Sequence, residues 1–162
     1  MTTTTTTTST HPDFQDVDLS QASDGEMLRH IRQSIVEPTR LLNGEFLELD
    51  SKRGYSRCRF TIVPAFCHSQ GTVCQGGFLT GMVDIAMANA ALARGRFECA
   101  VPTLELKISF LEPVGPGVVY AEGRVLRWGG SVGFLYGDLK DEKGRLIVHA
   151  TCTVKIVRPK KG

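Results

Sequence analysis

The chain has 162 residues, 41% hydrophobic and 22% charged, the balance of one soluble globular domain with a sizeable core. A formal net charge of +2 gives no field that would recruit nucleic acid, so no nucleic-acid partner is expected. The five cysteines, Cys58, Cys67, Cys74, Cys99 and Cys152, contain no CxxC pair and point to neither a zinc site nor a disulfide framework.

Residues 1–23 open with seven consecutive threonines and stay polar, so they read as a disordered tail ahead of a single domain over residues 24–162. The N-terminus lacks a basic-then-apolar signal pattern, and no apolar run is taken to reach the ~18 residues of a membrane span. With reduced thiols, this gives the expectation of a cytoplasmic protein with no membrane partner. From Asp24 to Leu42, the residues Met27, Leu28, Ile31, Ile35 and Leu42 recur at helical spacing, with Asp24 as N-cap and Pro38 ending or kinking the helix. Asn43-Gly44 marks a turn. Phe46 to Val63 then reads as two antiparallel strands joined near Lys52-Arg53-Gly54, and Pro64 to Val73 as a loop.

A long helix follows at about Gly77–Arg94. Leu79, Met82, Val83, Ala86 and Ala90 form one apolar stripe, and Gly77, Gly81, Ala88 and Ala91 make the opposite face small. A helix apolar or small all round is a buried one. Four strand-like runs complete the chain, at 104–110, 120–126, 132–139 and 145–157, punctuated by turns at Val-Gly-Pro-Gly 114–117, Gly129-Gly130 and 141–144. Helices and strands are segregated rather than alternating, which predicts an α+β fold with an antiparallel sheet wrapped around the long helix.

Asp84 is the residue that this helix does not explain. A lone carboxylate on a buried helix is unfavourable unless paired, hydrogen-bonded or protonated, and such positions cluster at functional sites. A structural reading pairs it with Arg94 or Arg96. The two glycines at the helix start offer free backbone N–H groups to a developing negative charge. A base and an anion site on one helix suggest attack on a carbonyl.

Three runs, GTVCQGGFLTGMVDIAMANAA, TLELKISFLEPVGPG and GRLIVHATCTVKIV, resemble the hotdog-fold acyl-CoA thioesterases, and among them the branch named for a phenylacetate-pathway thioesterase. The resemblance spans about residues 46–157. It implies a curved antiparallel sheet around one central helix, preceded here by an additional N-terminal helix. It also implies a dimer with a continuous sheet, often paired into a homotetramer, with active sites between subunits. The implied substrate is an acyl group joined to coenzyme A, with no separate cofactor and no metal.

In that family the acidic residue seven positions past the second glycine is general base or nucleophile, and Asp84 holds the position. The residue before the glycines is histidine or glutamine, here Gln75. The N–H of the first glycine polarises the thioester carbonyl, which implicates Gly76, with Gly77 beside it. A Ser or Thr opening the next strand places water, and Thr103 fits. The family's asparagine before the glycines is missing: counting from Gly71 gives His68 and counting from Gly77 gives Ser69, an insertion near Cys74. The family's basic residue after a glycine between two later strands is replaced by Arg127-Trp128-Gly129-Gly130.

Gln75 can donate a hydrogen bond but cannot transfer a proton at neutral pH, leaving Asp84 as the acid–base group of this helix. The expected reaction is thioester hydrolysis to free acid and coenzyme A, by an activated water or through a mixed anhydride on Asp84. A non-catalytic acyl-CoA-binding or sensing module is the alternative. An enoyl-CoA hydratase needs a His paired with an acid; Gln75 stands against it and His68 for it. Cys67 as nucleophile finds no base, because neighbours such as His68 on an extended chain point to opposite faces.

Overall fold

A computed structural model describes residues 18–158 of the chain. Two short helices come first, α1 (Asp24–Gln33) and α2 (Glu37–Leu41), where the sequence suggested one. Ser23, not Asp24, is the N-cap: it forms a capping box with Glu26, and Asp24 instead accepts a hydrogen bond from the Ser51 N–H at 3.1 Å. Pro38 does not end a helix but begins one, in the first turn of α2, where its missing N–H would have no helical partner. The last residues of the stretch expected to be disordered are packed. Leu19 is buried in the core, and the Arg96 guanidinium donates to the carbonyls of Ser20 and Ala22. Residues 1–17, and the basic tail residues Lys160 and Lys161, lie outside the described residues.

Strands β1 (Gly44–Asp50) and β2 (Tyr55–Ile62) pair antiparallel, as the alternation predicts. The segment expected to be a loop contains a 3-10 turn, Pro64–Phe66, and a small hairpin of β3 (Cys67–His68) and β4 (Val73–Cys74). Helix α3 (Gly76–Arg94) comes next, followed by β5 (Thr103–Phe110), β6 (Gly117–Trp128), β7 (Val132–Asp141) and β8 (Leu146–Lys155). The main sheet has six strands in the order β1-β2-β6-β7-β8-β5, antiparallel throughout. It curves around α3, with the short helices α1 and α2 on one flank. This is the α+β hotdog architecture that the sequence predicts.

What lets the helix sit so close to the sheet is a row of small residues. Ser56, Gly123, Gly137 and Ala150 are successive cross-strand partners on β2, β6, β7 and β8. A Cβ on Gly123 would lie 2.6 Å from the Met87 backbone nitrogen, and one on Gly137 would lie 2.8 Å from side-chain carbons of Val83 and Met87. The Ser56 hydroxyl donates to the Ala86 carbonyl at 2.6 Å, inside the core. These contacts fix the depth of α3, and with it the height of Asp84. The helix is 19 residues long and apolar enough to cross a membrane by length and composition, contrary to the sequence-based expectation. The sheet accounts for that hydropathy, since Leu79, Met82, Val83, Ala86, Met87 and Ala90 are all buried against it.

Candidate active site

Asp84 projects from the middle of α3 toward the start of β5. The Thr103 hydroxyl donates to its Oδ1 at 3.2 Å. Among the described residues no cation pairs with it, and Arg96 is committed to the Ser20 and Ala22 carbonyls instead. Burial pushes the Asp84 carboxyl above its ordinary value, and the Thr103 hydrogen bond pulls only partly the other way. Cys152 lies close enough that burial first, and then the Asp84 charge, push its thiol up to about 11.

Asp84 forms a ridge shared by two cavities. One, of about 230 Å³, lies between α3 and the α1–α2 segment and is walled by Ile31, Phe46, Ile85 and Leu92. The other, of about 420 Å³, opens beside the 100–103 segment and Thr103. Ala88 and Leu92 line both. An Asp84 carboxylate is therefore reachable by a molecule extending in two directions.

The N-terminus of α3 is a second centre. Gln75 is its N-cap, and its Oε1 accepts from Gly77 N–H at 2.7 Å. That bond takes the Gly77 donor and turns the Gln75 amide NH2 outward. The Gly76 N–H has no acceptor among the described residues, the state a helix N-terminus leaves for an anion or a polarised carbonyl. Phe110 covers this glycine: a Cβ on Gly76 would lie 2.9 Å from the tip of its ring. A cavity of about 370 Å³ borders the same place, lined by Cys74, Gly76 and Phe110.

Gly76 and Asp84 do not meet within one chain. Positions 76 and 84 are eight residues apart on a continuous helix, roughly 12 Å of axial rise at 1.5 Å per residue. A single carbonyl cannot touch both. Both residues lie on one helix, as the sequence predicts, but too far apart along it to reach the same carbonyl.

His68 and Ser69, the candidate replacements for the missing asparagine, sit at the exposed β3–β4 hairpin. His68 Nδ1 and Ser69 Oγ are 2.8 Å apart and bond to each other, and neither bonds to α3. Ser69 and Gln70 have φ of 52° and 60°, a left-handed turn at the tip of the hairpin. Trp128 packs against the core rather than standing free.

Residues 71–148 match the thioesterase superfamily. Similar solved structures include a candidate thioesterase of Ralstonia eutropha JMP134 related to phenylacetic acid degradation. It is 29% identical, with a TM-score of 0.72 over 81% of this chain and 97% of that one. The E. coli PaaI protein of the phenylacetic acid degradation operon shares the fold at 18% identity, with a TM-score of 0.73 over 86% of this chain and 96% of that one. A candidate esterase of Saccharolobus solfataricus is 38% identical over 91 residues, which are 56% of this chain and 64% of that protein. The chain thus spans less than two thirds of that relative's length.

Two residues beside Asp84 escaped the sequence reading. Asn89 and Thr39 line the 230 Å³ cavity. Asn89 carried a signal, as the one amide in the Ala-rich second half of α3. Thr39 carried none, since nothing in the sequence shows that α2 packs beside this cavity.

Proposed function

We propose that the chain hydrolyses the thioester bond of an acyl- or aryl-acyl-coenzyme A, giving free acid and coenzyme A. The observation that carries this is Asp84: a desolvated carboxylate with a hydroxyl donor, no cation among the described residues, and cavities on both sides. A carboxylate held above its ordinary pKa is a better base than a solvated one. In the base route Asp84 takes a proton from a water positioned with Thr103, and the hydroxide attacks the carbonyl carbon. The tetrahedral intermediate then expels the thiolate, which recovers the proton from Asp84. In the nucleophile route the Asp84 oxygen attacks directly, and water later cleaves the anhydride. Gly76 N–H and the Gln75 amide stabilise the oxyanion. The reading uses no metal or redox cofactor.

Closing the 12 Å gap takes a second copy. β5 is an edge strand, paired to β8 on one side only, and it is bordered by the exposed apolar residues Leu104 (60%), Phe110 (54%) and Leu111 (51%). Thr103 at its start touches Asp84, and Phe110 at its end covers Gly76. Two β5 edges paired about a two-fold axis run antiparallel, so the Asp84 end of one meets the Gly76 end of the other. The proposed enzyme is therefore a dimer, or a dimer of dimers, with each site shared. It belongs in the cytoplasm, where its five free thiols fit a reducing compartment.

Coenzyme A release from short, medium, long and aromatic acyl-CoAs tests the reading with wild type and Asp84→Asn side by side. Release by wild type and a loss of ~100-fold or more in the variant are expected, the scale of a general base. No release from any substrate while acyl-CoA still binds would make the protein a binding module. Single-turnover hydrolysis in labelled water separates the routes, because only the anhydride places label in Asp84.

A further inference from the structure

Cys67 and Cys74 are partners across the β3–β4 hairpin, just ahead of the Gly76 end of α3. We propose that they are a reversible dithiol–disulfide pair, a modification site for low-molecular-weight disulfides such as oxidised glutathione, and that closing it disables the Gly76 centre. The covalent step stands on the cysteines alone; only its effect on turnover rests on the hydrolytic reading.

Three observations carry it. The first is register. The Gln75 N–H donates to the Phe66 carbonyl at 2.9 Å, while the Cys74 N–H turns away to the Val114 carbonyl at 2.8 Å. Cys67 and Cys74 are therefore a non-hydrogen-bonded antiparallel pair, the kind whose Cα atoms lie about 4.5 Å apart with side chains close together. That separation lies within the range that a disulfide bridges. The other strand cysteines have no such partner: Cys58 faces Phe46 and Ala121, and Cys152 faces Leu106 and Leu135.

The second is the order of access. Cys67 is half-buried and Cys74 is buried, so an external disulfide meets Cys67 first. The Cys67 thiolate attacks one sulfur of oxidised glutathione, forming a mixed disulfide and releasing one glutathione thiolate. Cys74, once deprotonated, attacks the Cys67 sulfur and expels the second glutathione thiolate. The cysteines lose two protons and two electrons, and one molecule of oxidised glutathione becomes two of the thiol. In the dithiol, burial first, and then the charge and hydrogen bond of Cys67, push the Cys74 thiol up to about 11. The mixed disulfide removes both effects of Cys67 and so frees Cys74 to react.

The third is attachment. Phe66, next to Cys67, holds the Gln75 N–H and stacks on Phe78 of α3 with ring centroids 4.6 Å apart. Cys74 lines the cavity beside Gly76, and Gln75 caps α3. In a disulfide the two Cβ atoms lie about 3.8 Å apart, closer than the roughly 4.5–5.5 Å of a cross-strand pair. Closing the bond draws β3 and β4 together and carries Phe66, Gln75 and Gly76 with them. A bond that spans only this hairpin gains less loop-closure entropy than one closing a long loop, so a thiol reductant reopens it.

The test incubates reduced wild type and Cys67→Ser with oxidised glutathione. Both are read by intact mass, by mapping of crosslinked peptides and by turnover of the acyl-CoA panel. Expected for wild type are the loss of two hydrogens with no glutathione retained, a peptide joining Cys67 to Cys74, and a loss of ~10-fold or more in kcat, the scale of a sub-ångström displacement of reacting groups. Dithiothreitol restores the activity. Cys67→Ser keeps its turnover and forms no crosslink. A glutathione that stays on Cys67, or a bond joining other cysteines, overturns the pair. A Cys67–Cys74 bond that leaves kcat unchanged overturns its control of the Gly76 centre. A protein that forms the bond but hydrolyses no acyl-CoA in either state retires the hydrolytic reading and leaves the pair standing. Control of the Gly76 centre is then read from the Kd of hexanoyl-CoA, which is weaker in the oxidised form if the pair acts there and equal in both forms if it does not.

Discussion

The Asp84 carboxyl lies in a half-buried site with a single hydroxyl donor, and burial raises its pKa. Its folded-state pKa lies above the unfolded value near 3.8, so between the two values the folded chain holds more protons than the unfolded one. Unfolding free energy then falls as pH rises through that window. Asp84→Asn removes this penalty. Its Tm at pH 7 is expected to exceed that of the wild-type protein, the difference closing below about pH 3.8, where both side chains are neutral. A gain in stability joined to a loss of turnover is the mark of a residue kept for chemistry; a lower Tm at pH 7 would mean that Asp84 holds the fold together. Turnover should rise with pH through an apparent pKa above 3.8, as the basic form appears.

The thiols behave differently. Burial pushes Cys58 up to about 12 and Cys74 to about 11, which leaves them almost wholly protonated. Native-state alkylation at pH 8 is expected to label the half-buried Cys67 first, read by peptide mass spectrometry. Prior labelling of Cys58 or Cys152 would show that the core opens readily.

At the scale of elements, the fold hangs on how closely α3 approaches the sheet. Gly123→Ala puts a methyl group against the α3 backbone at Ala86 and Met87, where no rotamer change relieves it. The expected destabilisation is about 2–4 kcal/mol by urea denaturation. Gly137→Ala meets the movable side chains of Val83 and Met87 as well as the Glu122 carbonyl, and should cost less. Equal effects would mean that the helix shifts as a body.

The same elements show what the sequence carried. Period-2 runs in β5 to β8 and the all-round apolar pattern of α3 are properties of single segments, and they were readable. Asp84 stood out because it broke one of those patterns. The division of the N-terminal helix was not readable. The apolar spacing runs on through Ile35 and Leu42, while the break depends on Val36 and Pro38 opening a second helix. Nor was the meeting of Thr39 and Asn89 at one cavity, which depends on where α2 packs. His68 and Ser69 were singled out by counting from the glycines, and a left-handed turn that no spacing announces places both at the surface of a hairpin.

For the whole molecule the question is which chain supplies which half of the site, and Gly76 allows a clean answer. Gly76 is the first residue of α3, where proline is tolerated, and Gln75 already has the extended conformation, φ −70° and ψ 134°, that precedes a proline. Gly76→Pro therefore deletes the free N–H with little change of backbone. Gly76→Ala keeps the N–H while placing the same Cβ against the Phe110 ring, and so isolates the hydrogen bond from the crowding. A loss of 10²–10³ in kcat is expected for the proline variant and a far smaller one for alanine, the scale of one oxyanion donor. Gly76→Pro and Asp84→Asn are then unfolded together in equal amounts and refolded. Random assortment makes half the dimers mixed, and in each mixed dimer one of two shared sites has both an intact Gly76 and an intact Asp84. Activity should return to about a quarter of wild type, from two proteins that are each nearly inactive. If Gly76 and Asp84 of one chain served the same carbonyl, mixing would restore nothing, since no chain in the mixture carries both.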